Sequence, residues 1–252
     1  MSKTTIMPNI RKMFKPDSGY TIFDVDLAGA DAQVVAYEAE DADLIEAFRR
    51  GLDVHSKNAE DLWGTSFTSL AGDKDNGPKS KRRKECKQAV HATNYGGSPR
   101  NLAKVLGWTV HETDTFQRRW FGLHPGIKSN FHGRIESSIR TTRMVTNRFG
   151  YRRVYFDRIE SVFTEALAWV PQSTVAEVSF RGGLQLEAAC PWVEMLLQVH
   201  DSLVFQVPHA YEDRLDELRS GLRVAIPYAN PLTIQWGLAR SRVSWGDCEG
   251  VR

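Results

Sequence analysis

Apolar and polar positions along the chain predict one strand followed by a series of helices. Residues 20–27, YTIFDVDL, are rich in β-branched and aromatic side chains, which is typical of a strand. After residue 27 the spacing of apolar residues becomes typical of helices. It predicts helices over residues 28–39, 41–50, 53–63, 79–95, 98–106 and 111–121, with Asp41 as an N-cap. Residues 64–79 hold three glycines and a proline and are predicted to form a loop, and His124-Pro125-Gly126 a turn.

The rest of the chain returns to strand patterns. The predicted elements are a hairpin over residues 143–156, a helix over 160–189, two strands over 193–207, an amphipathic helix over 210–223 and a last strand over 232–237. The two strands of 193–207 flank a polar His-Asp-Ser centre. Strands at both ends with helices between them predict an α+β fold, in which a helical insertion interrupts a sheet domain.

Composition and charge narrow the class of protein without indicating a function. Of 252 residues, 41% are hydrophobic and 25% are charged, which is ordinary for a globular protein. The net charge of +2 excludes a uniformly basic surface but not a local basic patch. Cys86, Cys190 and Cys248 lack the spacing of zinc sites, which favours free thiols in a reducing compartment. The chain has no apolar run as long as a membrane helix and no signal-peptide core, so we expect a cytoplasmic protein.

Two aspartates lie where apolar strands are predicted to reach solvent. Asp26 ends the first strand, and Asp201 lies at the tip of the hairpin over residues 193–207. If these strands are neighbours the two carboxylates meet, and a divalent cation relieves their repulsion. Ligands that are all oxygen suit Mg²⁺ or Mn²⁺. Asp24 points to the same strand face as Asp26, so either is a candidate ligand, and each aspartate also suits an ordinary turn.

A basic stripe is predicted on the helix over residues 79–95. Arg83, Lys87, His91 and Tyr95 recur at intervals of four, which places them on one helix face. Two cations followed by two rings suit a nucleotide, because cations bind phosphates and rings stack on bases. The alternative is a solvated basic helix face that binds no ligand.

Three segments resemble, in order, motifs A, B and C of the family A DNA polymerases, the bacterial DNA polymerase I type. They are residues 26–37 (DLAGADAQVVAY), 83–96 (RKECKQAVHATNYG) and 199–202 (VHDS). Flanking segments that resemble the family lie at residues 11–14, 44–55 and 171–174 and around Trp245. The resemblance covers nearly the whole chain, and both basic residues of motif B are in register.

The resemblance implies a polymerase palm, an antiparallel sheet with packed helices, interrupted by a mainly helical fingers insertion. Residues 1–37 and 161–252 are expected to form the palm, and residues 38–160 the fingers. The family's thumb and exonuclease domains have no counterpart in this sequence. We therefore expect a split or minimal polymerase, for which a second protein chain supplies thumb or processivity functions.

The activity implied by the resemblance is extension of a primer on template DNA by two-metal transfer from deoxynucleoside triphosphates. The family spacing between Asp26 and Asp31 favours Asp26 over Asp24 as the motif A ligand. Asp26, Asp201 and the backbone carbonyl of Leu27 are expected to hold two Mg²⁺ ions, with Mn²⁺ as a substitute.

The resemblance also implies roles for the stripe. Arg83 and Lys87 are expected to bind the β- and γ-phosphates, with Lys87 as general acid. His91 is expected to pack on the incoming nucleotide, Tyr95 to lie near the templating base, and Asp31 to pack under the sugar. The expected DNA contacts are Tyr95, Gly96, Arg152, Arg153, Gln172 and His200.

Two departures from the family pattern favour an alternative, a polymerase of the same fold that makes or tolerates RNA. Asp31 replaces a glutamate and is one methylene shorter, which predicts weaker exclusion of a 2′-hydroxyl. Ser202 replaces the motif C glutamate, as in single-subunit phage-type RNA polymerases. His91 replaces an aromatic residue and is expected to stack less strongly. A further alternative, motivated by the missing thumb, is a non-catalytic DNA-binding module, although retention of the acidic and basic motif residues favours an enzyme.

Overall fold

The computed structural model describes residues 9–64 and 78–251. Within them the chain divides into two compact units. One, the sheet unit, is drawn from Met1–Ala30 and Thr174–Arg252, and the other, the helical unit, from Asp31–Ser173. In chain order the elements are β1 (Tyr20–Leu27), α1 (Ala30–Glu38), α2 (Ala42–Arg49), α3 (Val54–Trp63), α4 (Pro78–Asn94), α5 (Pro99–Leu106), α6 (Val110–Leu123), α7 (Gly133–Thr142), β2 (Met144–Thr146), β3 (Arg152–Val154), α8 (Ile159–Ala189), β4 (Glu194–Val199), β5 (Ser202–Pro208), α9 (Leu215–Gly221), β6 (Ala225–Ile226), β7 (Leu232–Thr233), β8 (Trp236–Ser241) and β9 (Glu249–Val251).

The sheet unit is built on a five-stranded antiparallel sheet with the strand order β4-β5-β1-β8-β9. β1 lies at its centre, between β5 and β8, and its apolar side chains Ile22, Phe23 and Val25 are buried. Phe23 lies opposite Phe205 on β5, and the two rings stack with their centroids 5.4 Å apart. This buried centre explains why β1 is almost continuously apolar until it reaches its two aspartates.

Local sequence explains where the helices of the helical unit begin and end. The side chain of Asp41 caps α2, and Thr109 and Glu112 form a capping box at the start of α6. Gly64 and Gly107 end α3 and α5 with φ of +68° and +70°, a backbone region that glycine enters without steric cost. Of these caps, the sequence analysis had predicted the one at Asp41.

The core of the helical unit is a large apolar cluster fixed by a few buried polar contacts. Trp120 is fully buried, and its indole N–H donates to Oδ1 of Asn94 at 2.8 Å. Glu38 is buried between Arg134 and Arg148, and Nε of Arg148 donates to Glu38 Oε1 at 2.6 Å. A buried carboxylate is tolerated here because it is paired and hydrogen-bonded.

A short hairpin and a long helix complete the helical unit and lead out of it. β2 and β3 pair in antiparallel register, and their turn is held by Asn147, whose Oδ1 accepts from the backbone N–H groups of Phe149 and Tyr151 at 3.0 Å each. The helix α8 is 31 residues long and contains Pro171. The predicted hairpin with its turn near Phe149 and the predicted long helix are both confirmed.

The predicted α+β class is confirmed, but three regions differ from the sequence-based elements. Helix continues from Pro125 through a π-helical segment, Ile127–His132, into α7, where only a turn was expected. The predicted helix over 210–223 shortens to α9. The predicted strand over 232–237 is divided, because β7 pairs with β6 whereas Trp236 begins β8 of the large sheet. The predicted loop over 64–79 lies largely outside the described residues.

The boundaries between the two compact units lie at residues 30/31 and 173/174. The boundaries predicted between palm and fingers lie at residues 37/38 and 160/161. The identification of the units with palm and fingers therefore stays a prediction. In residues 9–64 and 78–251, no helix combines the length and the apolar character that crossing a membrane requires.

Candidate active site

Asp26 and Asp201 lie at the same end of neighbouring strands in the sheet unit. β1 pairs with β5, and Asp26 lies opposite Ser202, the first residue of β5. The backbone N–H of Leu27 donates to the carbonyl oxygen of Asp201 at 3.2 Å, so the pairing continues past the end of β5. The expectation that the two aspartate-bearing strands are neighbours is confirmed, while metal binding by Asp26, Leu27 and Asp201 stays a prediction.

His200 and Asp201 form the two-residue turn that joins β4 to β5. The flanking residues Val199 and Ser202 pair directly, and the Ser202 hydroxyl donates to the Val199 carbonyl at 2.9 Å. His200 has a backbone φ of +55°, a value that residues other than glycine seldom adopt. Such backbone strain costs on the order of 1 kcal/mol and concentrates at functional sites. The turn thus presents His200 and Asp201 to solvent on a tightly bonded backbone.

Asp24, the alternative ligand on β1, is engaged by neighbours within the sheet unit. The indole N–H of Trp245 donates to Asp24 Oδ2 at 2.8 Å, and Nη1 of Arg11 lies 3.6 Å from the same oxygen. The Arg11 guanidinium also lies over the Trp245 ring, 4.5 Å from its centroid. Asp24 therefore joins the segment before β1 to the segment after β8. Asp26 is exposed at the strand end, and its choice over Asp24 as a metal ligand stays a prediction.

The predicted stripe lies on α4 and just beyond it, in the helical unit. Arg83 forms a two-point ion pair with Asp53, Nε to Oδ2 at 2.6 Å and Nη2 to Oδ1 at 2.9 Å. Lys87 is exposed on the next turn. The rings of His91 and Tyr95 meet edge to face with their centroids 4.5 Å apart. The helix thus brings the four residues together in the predicted order, from two cations to two rings.

His55, on the first turn of α3, faces this stripe and was not assigned a role from the sequence. Burial lowers the pKa of His55 to about 4, and the charges of Lys87 and Arg83 act in the same direction. Its Nδ1 is buried without a hydrogen-bond partner among the described residues. The signal in the sequence was the Asp53-Val54-His55 segment, which matched a flanking motif, but only the packing of α3 on α4 brings His55 to the cations.

Asp31, at the start of α1, acts on the ring end of the stripe. Burial raises the pKa of Tyr95, and the charge of Asp31 and its hydrogen bonding raise it further. The Tyr95 hydroxyl is buried. Partial desolvation lowers the pKa of the exposed His91. The charge of Lys87 lowers this pKa further, whereas the charge of Asp31 raises it. The predicted sugar-side acid and the predicted template-side ring are therefore neighbours.

Gly96 ends the stripe at a position where any other residue would be strained. Its φ is +73°, and a Cβ at this position would lie 3.1 Å from Cδ1 of Leu167 and 3.4 Å from Cγ2 of Thr164. At Gly97 a Cβ would lie 2.8 Å from the Ala92 carbonyl oxygen. These contacts give the motif's Tyr-Gly ending a structural cause, while DNA contact by Gly96 stays a prediction.

The other predicted DNA contacts are surface residues on separate elements. Gln172 is exposed on α8, directly after Pro171. Arg152 is exposed on β3. Arg153 is ion-paired with Glu165 and lies over the Tyr155 ring at 5.2 Å, so its charge is already partly neutralised within the protein. DNA contact by these residues stays a prediction.

A second group of possible metal ligands in the helical unit differs from the predicted one. It consists of Asp41, Asp43 and His124. Nδ1 of His124 lies 2.8 Å from Oδ2 of Asp41, which also caps α2, and Nζ of Lys57 lies 2.6 Å from Oδ2 of Asp43. Helix capping and the lysine account for both carboxylates, so we assign this cluster to helix packing rather than to metal binding.

The comparison with known proteins gives one consistent result. The sequence model of the family described as DNA polymerase family A matches residues 2–241. DNA polymerase I of Geobacillus stearothermophilus is 30% identical over 222 residues, 83% of this chain and 24% of the relative. DNA polymerase I of Pseudomonas aeruginosa is 27% identical over 240 residues, which are 89% of this chain and 24% of the relative. The thermostable DNA polymerase I of Thermus filiformis is 28% identical over 241 residues, which are 92% of this chain and 28% of the relative.

A solved structure shares the fold. It is the POL domain of Pol1 from M. smegmatis in complex with DNA primer-template and dNTP, with a TM-score of 0.81 and 22% identity, covering 94% of this chain and 42% of that one. The chain spans about a quarter of the length of the curated relatives named above. Because the family model matches residues 2–241, nearly the whole of this chain, the chain belongs to DNA polymerase family A.

Proposed function

We propose that this chain extends a primer on template DNA by nucleotidyl transfer from deoxynucleoside triphosphates, with two Mg²⁺ ions. The observation that carries the proposal is the pairing of β1 with β5, which sets Asp26 and the Asp201 turn side by side at one sheet end. Two carboxylates and the Leu27 carbonyl form an all-oxygen donor set, which fits Mg²⁺. Mn²⁺ suits the same donors.

The chemistry divides between the ions and the protein. When bound, the two ions make the primer 3′-hydroxyl more acidic and stabilise the negative charge on the leaving pyrophosphate. Asp26, Asp201 and the Leu27 carbonyl would hold the ions. Arg83 and Lys87 bind the triphosphate oxygens, and Lys87 delivers a proton to the leaving group.

The remaining residues of the site orient the substrates. His91 packs on the incoming nucleotide as a neutral ring, in keeping with its lowered pKa. Tyr95 stands near the templating base, and Asp31 lies under the sugar. His200, Gln172 and the hairpin arginines contact the primer-template. The solved relative with bound primer-template and dNTP supports these partners.

A further polypeptide is part of this proposal. It is a second protein chain that completes the grip on duplex DNA. Without it, binding of primer-template is expected to be weak and to fall steeply with salt, because it rests on phosphate contacts.

Primer extension tests the proposal. The chain, in excess over a labelled primer-template at low salt with Mg²⁺, is offered each deoxynucleotide in turn. We expect addition of the nucleotide complementary to the template base and none after chelation of the metal. Absence of any addition, with both Mg²⁺ and Mn²⁺ and at saturating protein, would contradict the proposed activity.

A second candidate, synthesis with ribonucleotides, is favoured by the carboxylate beside Tyr95. Asp31 is shorter than the family's glutamate by one methylene, and its charge and hydrogen bonding act on Tyr95. Such a site excludes a 2′-hydroxyl less strongly. The same extension assay with ribonucleotides separates the two candidates, since the second requires ribonucleotide addition at a comparable rate.

A further inference from the structure

The hairpin β2–β3 has one face packed on the helical unit and one face open to solvent. Val145 and Tyr155 are buried on the packed face. Side chains alternate along a strand, so Arg152 and Val154 of β3 point the other way, and Phe156 follows two residues after the strand. All three are exposed, Val154 by 49% and Phe156 by 91%. This open face, carrying Arg152, Val154 and Phe156, is called the ribbon face below.

Phe156 is an exposed aromatic residue whose neighbours in the chain are fixed by hydrogen bonds. Its exposure is the highest of any large apolar side chain in the described part of the chain. The residues on either side are both fixed to Arg143: the N–H of Tyr155 donates to the Arg143 carbonyl at 2.8 Å, and Nη1 of Arg143 donates to the Asp157 carbonyl at 2.9 Å. These contacts fix the backbone on both sides of the ring, so the ring is presented to solvent from a fixed position.

The charges around the ribbon face indicate an anionic partner. Arg140, Arg148 and Arg153 of the same region each pair with a glutamate. Arg143, Arg152 and Arg158 are exposed, and none of the three forms an ion pair with a carboxylate of the described residues. The ribbon face and its surroundings therefore combine one exposed aromatic ring with three arginines, Arg152 on the face and Arg143 and Arg158 close to Phe156 in sequence or by backbone contact, that form no ion pair with a described carboxylate.

We propose that the ribbon face binds single-stranded DNA, with a base stacked on Phe156 and phosphates held by Arg152, Arg143 and Arg158. A single strand offers both components, since its bases are free to stack on a ring and its phosphates repeat along the chain. Duplex DNA offers the phosphates but keeps its bases stacked inside. The arginines alone would suit either form, so the exposed ring decides for the single strand.

The test measures DNA binding without nucleotides or Mg²⁺, so its outcome is separable from primer extension. Fluorescence anisotropy follows a labelled oligothymidylate of about 20 nucleotides. Phe156→Ala is expected to weaken binding roughly tenfold, whereas Phe156→Trp retains it. Phe180→Ala is the matched control, because Phe180 is another exposed ring, 60% accessible, on α8. It should leave the affinity unchanged.

Two further measurements complete the test. Arg152→Gln is expected to lower the slope of log affinity against log salt by about 0.7, the value for one phosphate contact on a single strand. Both variants should keep the wild-type melting temperature, because the substituted side chains are exposed. The proposal is overturned if Phe156→Ala binds the oligonucleotide as wild type does or weakens single-stranded and duplex DNA equally. It is also overturned if the variant only disrupts self-association in sedimentation, which would assign the face to a second copy of this chain.

Discussion

The Asp53 carboxylate and the Arg83 guanidinium form a two-point ion pair between α3 and α4, at 2.6 and 2.9 Å. Burial on its own would raise the pKa of Asp53, but hydrogen bonds from Arg83 and Ser56 outweigh it and lower the pKa to about 2. A planar guanidinium held at two points has its orientation fixed. Asp53 therefore acts as a positioning residue for the cation that we propose binds the triphosphate.

Asp53→Ala is expected to raise the KM for the nucleotide by about fivefold, the equivalent of an interaction of about 1 kcal/mol, with a smaller change in kcat. Without the Asp53 carboxylate, the Arg83 side chain would have to become ordered when the nucleotide binds. Steady-state extension kinetics measure the effect. Asp61→Ala is the control, because Asp61 ends the same helix but pairs with Lys57. Equal KM values for Asp53→Ala and wild type would contradict the positioning role.

Stability is expected to fall as pH decreases from 6.5 towards 4, in part through His55. The folded pKa of about 4 lies below the ordinary value of 6.5, so the unfolded chain binds a proton that the folded chain excludes. The contribution of neutral His55 is full above pH 6.5 and is lost progressively below it. Urea unfolding at pH 7 and pH 5 should show a drop on the order of 1–2 kcal/mol larger in wild type than in His55→Gln. An identical drop in both would refute the shifted pKa.

Asp31→Glu is expected to strengthen discrimination against ribonucleotides. The added methylene brings the carboxylate closer to Tyr95 and narrows the space for a 2′-hydroxyl. The ratio of kcat/KM for deoxy- and ribonucleotides measures this, and roughly a tenfold gain corresponds to about 1.4 kcal/mol. Asp31→Ala, which removes the carboxylate, should shift the ratio the other way. A ratio that stays constant across both variants would remove Asp31 from sugar selection.

Glu38→Ala is expected to destabilise the protein by about 3–5 kcal/mol, because it leaves two arginines facing a buried site without their carboxylate. The Glu38 side chain is only 2% exposed. Glu136→Ala is the control, since Glu136 pairs with Arg140 on an exposed helix face, where the loss should be about 0.5 kcal/mol or less. Denaturant unfolding of both variants gives the comparison, and similar losses would show that burial does not set the strength of the Glu38 contacts.

Much of the fold was accessible from the sequence because its local signals agree with the final packing. The cap at Asp41, the capping box of Thr109 and Glu112, and the Asn147 turn all form where the sequence predicted boundaries. The helix after Gly126 was missed although Ile127, Phe131, Ile135 and Ile139 recur every four residues and are buried. The preceding His-Pro-Gly concealed that spacing, because it favours a turn on its own.

The arrangement of the stripe on α4 was predictable from the sequence, but its contacts were not. Spacing alone placed Arg83, Lys87, His91 and Tyr95 on one helix face. It could not reveal that Asp53 holds Arg83 or that His55 faces the same cations, since both depend on the packing of α3 against α4. The division of the last strand between two sheets likewise follows from pairing partners that are distant in sequence.

The two aspartates of β1 permit the most direct test of the account, because Asp24 and Asp26 share a strand face and differ in their neighbours. Asp24 accepts from the Trp245 indole, and an asparagine there can still accept that bond. Primer extension with Mg²⁺ is measured for Asp24→Asn, Asp26→Asn and Asp201→Asn, with unfolding curves to confirm that each variant is folded. We predict that Asp26→Asn and Asp201→Asn abolish extension while Asp24→Asn retains most of it. Retained extension in Asp26→Asn or Asp201→Asn, or its loss in Asp24→Asn alone, would contradict the assignment of the metal ligands.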